Sequence, residues 1–561
     1  MTLSWRSNQN PQFRSQFSET IFNQKYRHEG AETWNELCQT LVEDVCGDVM
    51  SETDKKELTL YMQEMKFIPG GRYLYYAGRN AKFFNNCYLL KAEEDTREDW
   101  ANLSWKAESC LMTGGGIGSD YSVYRASGER LGRTGGVASG PVPKVEMINE
   151  IGRRVMQGGS RRSAIYASLN WRHGDIDQFL GAKDWEKQPV GTTGLSLWDI
   201  KQQDFNFPAP LDMTNISVNY DTKWLLNFWE TGDVGDVFKR NVEQALRTAE
   251  PGFSFNFFEK ENETLRNACT EVTSEDDSDV CNLGSINLGR VDTIEEFKDV
   301  VQLATMFLLC GTLRADLPYA KVYKVRERNR RLGLGLMGIH EWLIKQGSGY
   351  EVTPELHRWL TVYERESNRV SKQFAAVLGV NEPVAKRAIA PTGTIGILAG
   401  TTTGIEPLFA VAYKRRYLKG TKWHYQYVVD GAARELIDLY GADPEKIESA
   451  IDLSEDFEKR IKFQADIQDY VDQSISSTIN LPSWGSRLNN PDTVEPFAKT
   501  LAKYAHRLRG FTCYPDGARG GQPLTSVPYK EAVEQLGAEF EESVETHDIC
   551  DISGKGGSCG V

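Results

Sequence analysis

The sequence predicts an α/β protein in which a parallel sheet is covered by helices. Strand-like runs at 85–90, 215–218 and 475–482 are separated by longer segments with apolar residues at helical spacing. Glycine-rich punctuation marks the junctions at 113–120, 134–141 and 389–404. With 561 residues and 40% hydrophobic content, the chain can bury a large core in more than one structural unit.

Taken in order, helices are expected within 31–65, where Trp34, Leu37, Leu41, Val42 and Val45 recur on one face. Pro69-Gly70-Gly71 ends that unit with a turn. An apolar, aromatic stretch follows at 72–92, with Cys87 at the start of a strand. A buried inert thiol accounts for Cys87 as well as a functional one does. The glycine run at 113–120 permits close backbone approach and exposed N–H groups, but no Gly-Lys-Ser/Thr closes it as a P-loop. Gly135 and Gly136 lead into a helix at 142–154. Gly159, Ser160, Arg161 and Arg162 then form an adaptable loop whose paired guanidiniums suit carboxylate or phosphate; a solvated charge pair explains them equally. Further helices are expected at 176–180, 294–312, 316–329, 355–378, 427–440 and 462–473. A last amphipathic helix runs from beyond 530 to about 544, and a tail closes the chain. His340, alone at a helix, reads as structural.

Composition removes several function classes. A net charge of -14, with no basic block, argues against nonspecific nucleic-acid binding. The polar N-terminus lacks the pattern of a signal peptide, and the most apolar helical run, near 301–310, is too short to span a bilayer. A cytoplasmic protein is expected. The 10 cysteines are too sparse for a disulfide scaffold, and without CxxC pairs or clustered histidines no metal site is expected. Cys550 and Cys559 stand apart in a glycine-rich terminal segment.

Two stretches carry chemistry. Pro391, Thr392, Gly393, Thr394, Ile395 and Gly396 place hydroxyls and glycines at a strand-to-helix turn, where backbone N–H groups and the helix terminus favour a phosphate over a neutral turn. In the second, Asn267, Cys269 and Glu271 occupy alternate positions, with Cys281 shortly after. If that piece is extended, a period of two puts amide, thiol and carboxylate on one face. A polar hairpin arm with two buried cysteines is the alternative.

The ordered set of motifs resembles ribonucleotide reductase, specifically its adenosylcobalamin-dependent class. The matching pieces are Asn86-Cys87, 115–122, 135–141, 159–162, Asn267-x-Cys269-x-Glu271, 281–288, 330–338, 391–407, 473–482 and 514–524. The resemblance implies a ten-stranded α/β barrel of two parallel five-stranded halves with a central finger loop, Cys269 at its tip. It divides the chain into an N-terminal helical region (1–70), the catalytic barrel (71–530) and a C-terminal helix with a redox tail (531–561). By resemblance, Cys269 carries a thiyl radical, Glu271 is the base for the 3′-hydroxyl, and Asn267 orients the sugar. Cys87 and Cys281 supply two electrons and end as a disulfide. Pro391–Gly396 receive the substrate phosphates, with Asn215 and Ser217 nearby. Gly135, Gly136 and Gly159–Arg162 communicate a deoxynucleoside triphosphate effector, and Cys550 with Cys559 shuttles electrons from thioredoxin or glutaredoxin, although their spacing departs from the family's.

The resemblance also addresses class. Metal-dependent class I enzymes receive their radical through a tyrosine pair; here only Tyr514 stands in that run, with Cys513 beside it. No glycyl-radical motif occurs near the C-terminus, and the Asp-x-His-x-x-Gly motif of one cobalamin-binding mode is absent. The implied cofactor is adenosylcobalamin, the substrate a ribonucleotide with diphosphate preferred, the reductant an external dithiol, and the assembly a homodimer. A class I large subunit and a nucleotide-binding regulator that has lost turnover are the competing readings.

Overall fold

A computed structural model describes residues 7–155, 163–204, 207–419, 422–518 and 524–541. Its strands, in chain order, are β1 Phe67–Pro69, β2 Cys87–Leu90, β3 Gly116–Asp120, β4 Ile165–Asn170, β5 Thr214–Tyr220, β6 Gly252–Phe255, β7 Leu265–Arg266 and β8 Thr273–Ser274. They continue with β9 Asp279–Asn287, β10 Leu332–Met337, β11 Ala412–Lys419, β12 Lys422–Val429, β13 Thr478–Leu481, β14 Gly510–Pro515, β15 Leu524–Ser526 and β16 Glu539–Glu541.

One 10-stranded sheet, ordered β1-β9-β2-β3-β4-β5-β6-β14-β13 with β10 beside β9, organises the molecule. From β2 to β6 every neighbour is parallel. The pairs β9–β10 and β13–β14 are parallel as well, and β2–β9 and β6–β14 join the two sets antiparallel. Parallel bridges Leu334↔Arg387 and Ile389↔Ile475 link β10 to the chain leading into β13. The result is a mixed α/β fold around a large sheet. Its parallel strands are buried nearly throughout, the pattern of a sheet covered on both faces.

Helices supply the cover. Trp34–Cys46 begins with a Thr33/Glu36 capping box and buries the predicted face of Trp34, Leu37, Leu41, Val42 and Val45. It joins the core built around Ile294–Arg314, while a second core packs against β3 to β6. Among the described residues no helix is long and apolar enough to cross a membrane.

Local expectations are met in part and corrected in part. The glycine run at 113–120, expected as punctuation that permits close backbone approach, contains strand β3 and does admit such an approach. A Cβ on Gly118 would stand 1.6 Å from the Arg266 carbonyl oxygen, so its missing side chain admits another backbone. The apolar, aromatic stretch after the Pro69-Gly70-Gly71 turn, for which the sequence predicts no element before the strand at 85–90, opens with the helix Gly71–Tyr76. The helix expected from 427 begins only at Gly431, because 422–429 belongs to β12; the one expected at 462–473 is Phe457–Gln468. The terminal helix shrinks to Tyr529–Glu534, since Gly537 with φ +84 breaks the run before β16. β15, β11, β12 and β16 form a separate four-stranded antiparallel sheet that draws together residues from both sides of position 530.

Candidate active site

The chain between β6 and β9 folds inward as a short hairpin, Leu265 opposite Ser274 and Arg266 opposite Thr273. Its tip is not an extended strand. Thr270 has φ 71, and its N–H closes a turn onto the Asn267 carbonyl at 3.0 Å. A β-branched residue in the left-handed region is strained, and it marks the place where the expected period-two face gives way. The turn nevertheless brings Asn267, Cys269 and Glu271 to the wall of a single cavity.

The surrounding strands grip this tip. Asn215 on β5 donates through Nδ2 to the Ala268 carbonyl at 3.0 Å, and the Ser474 N–H donates to the Glu271 carbonyl at 2.9 Å. Asn267 Oδ1 accepts the Val272 N–H at 3.0 Å. At the base, Arg266 donates to Asn256 Oδ1 at 2.7 Å and to the Arg509 carbonyl at 3.2 Å. Burial, with Arg509 alongside, lowers the Arg266 pKa to about 9. Asn215 and Ser474 escaped sequence reasoning in these holding roles, because neither carries a local signature of a distant partner.

Cys87 and Cys281 lie directly opposite one another across β2 and β9. Facing residues of an antiparallel pair have Cα atoms roughly 4.5–5.5 Å apart, inside the range that a disulfide bridges. Asn267 Nδ2 lies 3.0 Å from Cys87 Sγ, tying the pair to the hairpin tip. Cys87 lines the cavity and Cys281 is buried behind it; burial pushes the Cys281 thiol pKa well up, so it stays protonated. Both are free thiols, whereas Cys269 is disulfide-bonded in this structure.

Glu271 is the distinctive acid. Burial raises its pKa to about 7, against the opposing effect of a hydrogen bond with Asn267. Its Oε2 has no hydrogen-bond partner among the described residues. A carboxylate so placed can take and return a proton near neutral pH.

Pro391–Gly396 line the same cavity, as do Asn215 and Ser217. The helix Gly393–Ala399 starts after Thr392, whose φ of 51 turns the chain and whose Oγ1 accepts the Gly404 N–H at 2.8 Å. Gly393 opens onto empty space, and the first-turn N–H groups of a helix have no acceptor within it. Gly135 and Gly136 sit away from the cavity on an exposed loop bridged by Arg130 and Val137. Gly159, Ser160, Arg161 and Arg162 lie outside the described residues, as do Cys550 and Cys559. Among the described residues no His, Cys, Asp and Glu cluster suits a metal ion.

Comparison with known proteins identifies the family of this chain. A family model described as the ribonucleotide reductase barrel domain matches residues 85–203, 222–359 and 384–514. The chain is 26% identical to a vitamin B12-dependent ribonucleoside-diphosphate reductase of Mycobacterium tuberculosis (strain CDC 1551 / Oshkosh), over 90% of this chain and 78% of that protein. It is 28% identical to the protein of the same description from Thermoplasma acidophilum, over 83% of this chain and 65% of the relative. Among solved structures, the Actinobacillus ureae class Id ribonucleotide reductase alpha subunit aligns with a TM-score of 0.68 at 17% identity, over 91% of this chain and 98% of that one, a likeness of fold. The barrel-domain match spans most of the chain and encloses the thiols, the amide and the carboxylate described above: this chain belongs to the ribonucleotide reductase family.

Proposed function

We propose that the chain reduces ribonucleotides to 2′-deoxyribonucleotides through a radical on Cys269, with adenosylcobalamin as cofactor and a ribonucleoside diphosphate as substrate. The observation that carries this reading is the single contact from Asn267 to Cys87, because it unites the hairpin tip with a facing pair of thiols. The names of both relatives support the cofactor and the diphosphate. The bridges Leu334↔Arg387 and Ile389↔Ile475 support closure of the sheet into a ten-stranded barrel around a finger loop.

The cavity suits such a cofactor. At about 3190 Å³ it exceeds the roughly 300–1,000 Å³ of ordinary small-molecule pockets. Exposed apolar side chains of Phe17, Ile397, Leu439, Ile451 and Leu536 stand around it on separate elements. Apolar side chains spread around so wide a cavity suit a large macrocycle such as a corrin, and these residues would hold it. When bound, adenosylcobalamin supplies a carbon-centred radical by homolysis of its cobalt–carbon bond.

The residues of this chain do the rest. Cys269, once the external dithiol has reduced its disulfide and is itself oxidised, gives up a hydrogen atom and as a thiyl takes the 3′-hydrogen of the ribose. Glu271 accepts the 3′-hydroxyl proton, and Asn267 holds that edge of the sugar. The 2′-hydroxyl leaves as water with a proton from the Cys87/Cys281 pair, and burial keeps the Cys281 thiol protonated for that step. Two electrons pass from the pair, which closes as a disulfide, and Cys269 returns its hydrogen to C3′. The balance is one ribonucleotide and two thiols to one deoxyribonucleotide, one disulfide and one water. Re-reduction falls to Cys550 and Cys559 with a thioredoxin- or glutaredoxin-type dithiol.

Effector control through Gly135, Gly136 and Gly159–Arg162 is supported by Ser163–Ile165, which directly follow the second loop and line the cavity. A homodimer is supported by Trp105, Met112 and Met147, exposed apolar residues on the packed helices Arg97–Met112 and Pro141–Arg154.

Purified chain with adenosylcobalamin, dithiol and a ribonucleoside diphosphate is expected to form product, and Cys269→Ser to form none while still binding nucleotide. Activity only with a metal-containing second subunit would transfer the chain to class I. In the same assay, Cys550→Ser with Cys559→Ser should stop after one turnover when thioredoxin is the reductant; undiminished cycling removes the tail from the scheme. For Glu271, the folded pKa of about 7 lies above the ordinary 4.5, so the folded chain holds the proton more tightly than the unfolded one. Turnover should therefore rise as pH passes through that value, while ionisation costs stability as pH rises from the lower value to the upper. Glu271→Gln is expected to lose at least ~100-fold in turnover yet unfold at a higher temperature than the parent at pH 8; a flat pH profile and unchanged rate contradict the base role. Light scattering should return twice the 63.3 kDa chain mass, falling to one chain for Trp105→Glu with Met147→Glu; a monomeric parent rules out that interface.

A further inference from the structure

The helix Gly393–Ala399 is held at its far end by residues from well outside the family-matched span, which begins at 85. Arg14 is buried, and so is Glu341, the carboxylate it meets. One guanidinium nitrogen, Nη1, donates to both Glu341 oxygens at 2.9 Å and to the Gly400 carbonyl at 3.0 Å. The other, Nη2, donates to Glu435 at 2.9 Å. Glu341 also accepts Thr401 Oγ1 at 2.6 Å and pairs with Lys345 at 3.1 Å. Nearby, Ser18 Oγ donates to the Ile397 carbonyl at 2.6 Å. Thus the last carbonyls of this helix, which lack partners within it, are met by a cation and a hydroxyl from the N-terminal segment. The turn beyond leads to Gly404, whose N–H is bound by Thr392 at the helix start, so both ends are mechanically joined.

We propose that Arg14 is a positioning residue for phosphate recognition: by bridging Glu341, Glu435 and the Gly400 carbonyl it sets where the opening turn of the Gly393–Ala399 helix meets the substrate phosphates. The proposal rests on the phosphate reading of Pro391–Gly396. Removing Arg14 leaves Glu341 with a single cation and the Gly400 carbonyl without its donor, which loosens the loop rather than the sugar or thiol contacts. Ordinary packing of the N-terminus would give the same bonds but no selectivity for the phosphate part of the ligand.

Calorimetric binding of a ribonucleoside diphosphate and of its parent nucleoside to the full chain separates the two. Arg14→Met should weaken the diphosphate by roughly 10-fold or more, the factor set by ~1.4 kcal/mol, and the nucleoside by less than about 2-fold. KM should rise with kcat nearly unchanged, and Arg14→Lys should recover part of the loss. Equal losses for both ligands, or none, overturn the proposal. If Arg14→Met does not fold, Ser18→Ala must give the same split at smaller size, and its absence overturns the proposal equally. A parent chain that binds nucleoside and diphosphate alike would instead remove the phosphate reading itself, whatever Arg14 does.

Discussion

The hairpin that carries Cys269 can lie against the sheet because β3 offers no side chain at Gly118. Any Cβ there would collide with the Arg266 carbonyl oxygen, 1.6 Å away. Close approach at one glycine thus fixes the depth of the hairpin, and with it which strand residues can reach the tip. Asn215, Ser474 and Cys87 meet it from three different strands or strand approaches. The polar cost of putting a loop inside a protein is met by the network of Arg266, Arg509, Glu263 and Asn256, with Arg331 and Asp279 beside it. Buried ion pairs of this kind add little net stability, but losing one partner is expensive. Their effect is to leave the hairpin one place to sit.

Desolvation does the chemical tuning. Burial of the two side chains raises Glu271 to about 7 and keeps the Cys281 thiol protonated. One physical cause thereby prepares a base that can be ionised at neutral pH and a thiol that retains its proton until it is needed. The proposed radical chemistry would benefit equally from a walled site, since a thiyl exposed to solvent and stray reductant would be quenched. Pro391–Gly396 line the same cavity as Glu271, and the proposed phosphate reading would seat the anionic end of a substrate there.

Much of this was legible in the residue pattern, for uneven reasons. Asn267, Cys269 and Glu271 stood out by spacing, yet the face they share comes from a strained turn at Thr270, which no glycine advertises. The pairing of Cys87 with Cys281 depends on strands almost two hundred positions apart, beyond any local signal. The strands and helices of the sheet were readable where apolar periodicity was strong, as in Trp34–Cys46 and Ile176–Leu180. The small antiparallel sheet was not. Its strand β11 is rich in lysine and arginine, and β16 is short and acidic, so neither shows the alternation of a half-buried strand. Arg14 had no visible role either, since its partners Glu341 and Glu435 are supplied by distant helices.

In the proposed scheme Cys87 and Cys281 are the two-electron donor opposite a radical-carrying Cys269. Its most direct test begins with chain fully reduced and freed of external dithiol, loaded with adenosylcobalamin, and given a ribonucleoside diphosphate in a Cys550→Ser, Cys559→Ser background. Alkylation and peptide mass mapping then follow the thiols through the first turnover. The account predicts one deoxyribonucleotide per site and, in equal amount, a new disulfide joining Cys87 to Cys281, with Cys269 recovered as thiol. Product formed while both Cys87 and Cys281 remain alkylatable would contradict it.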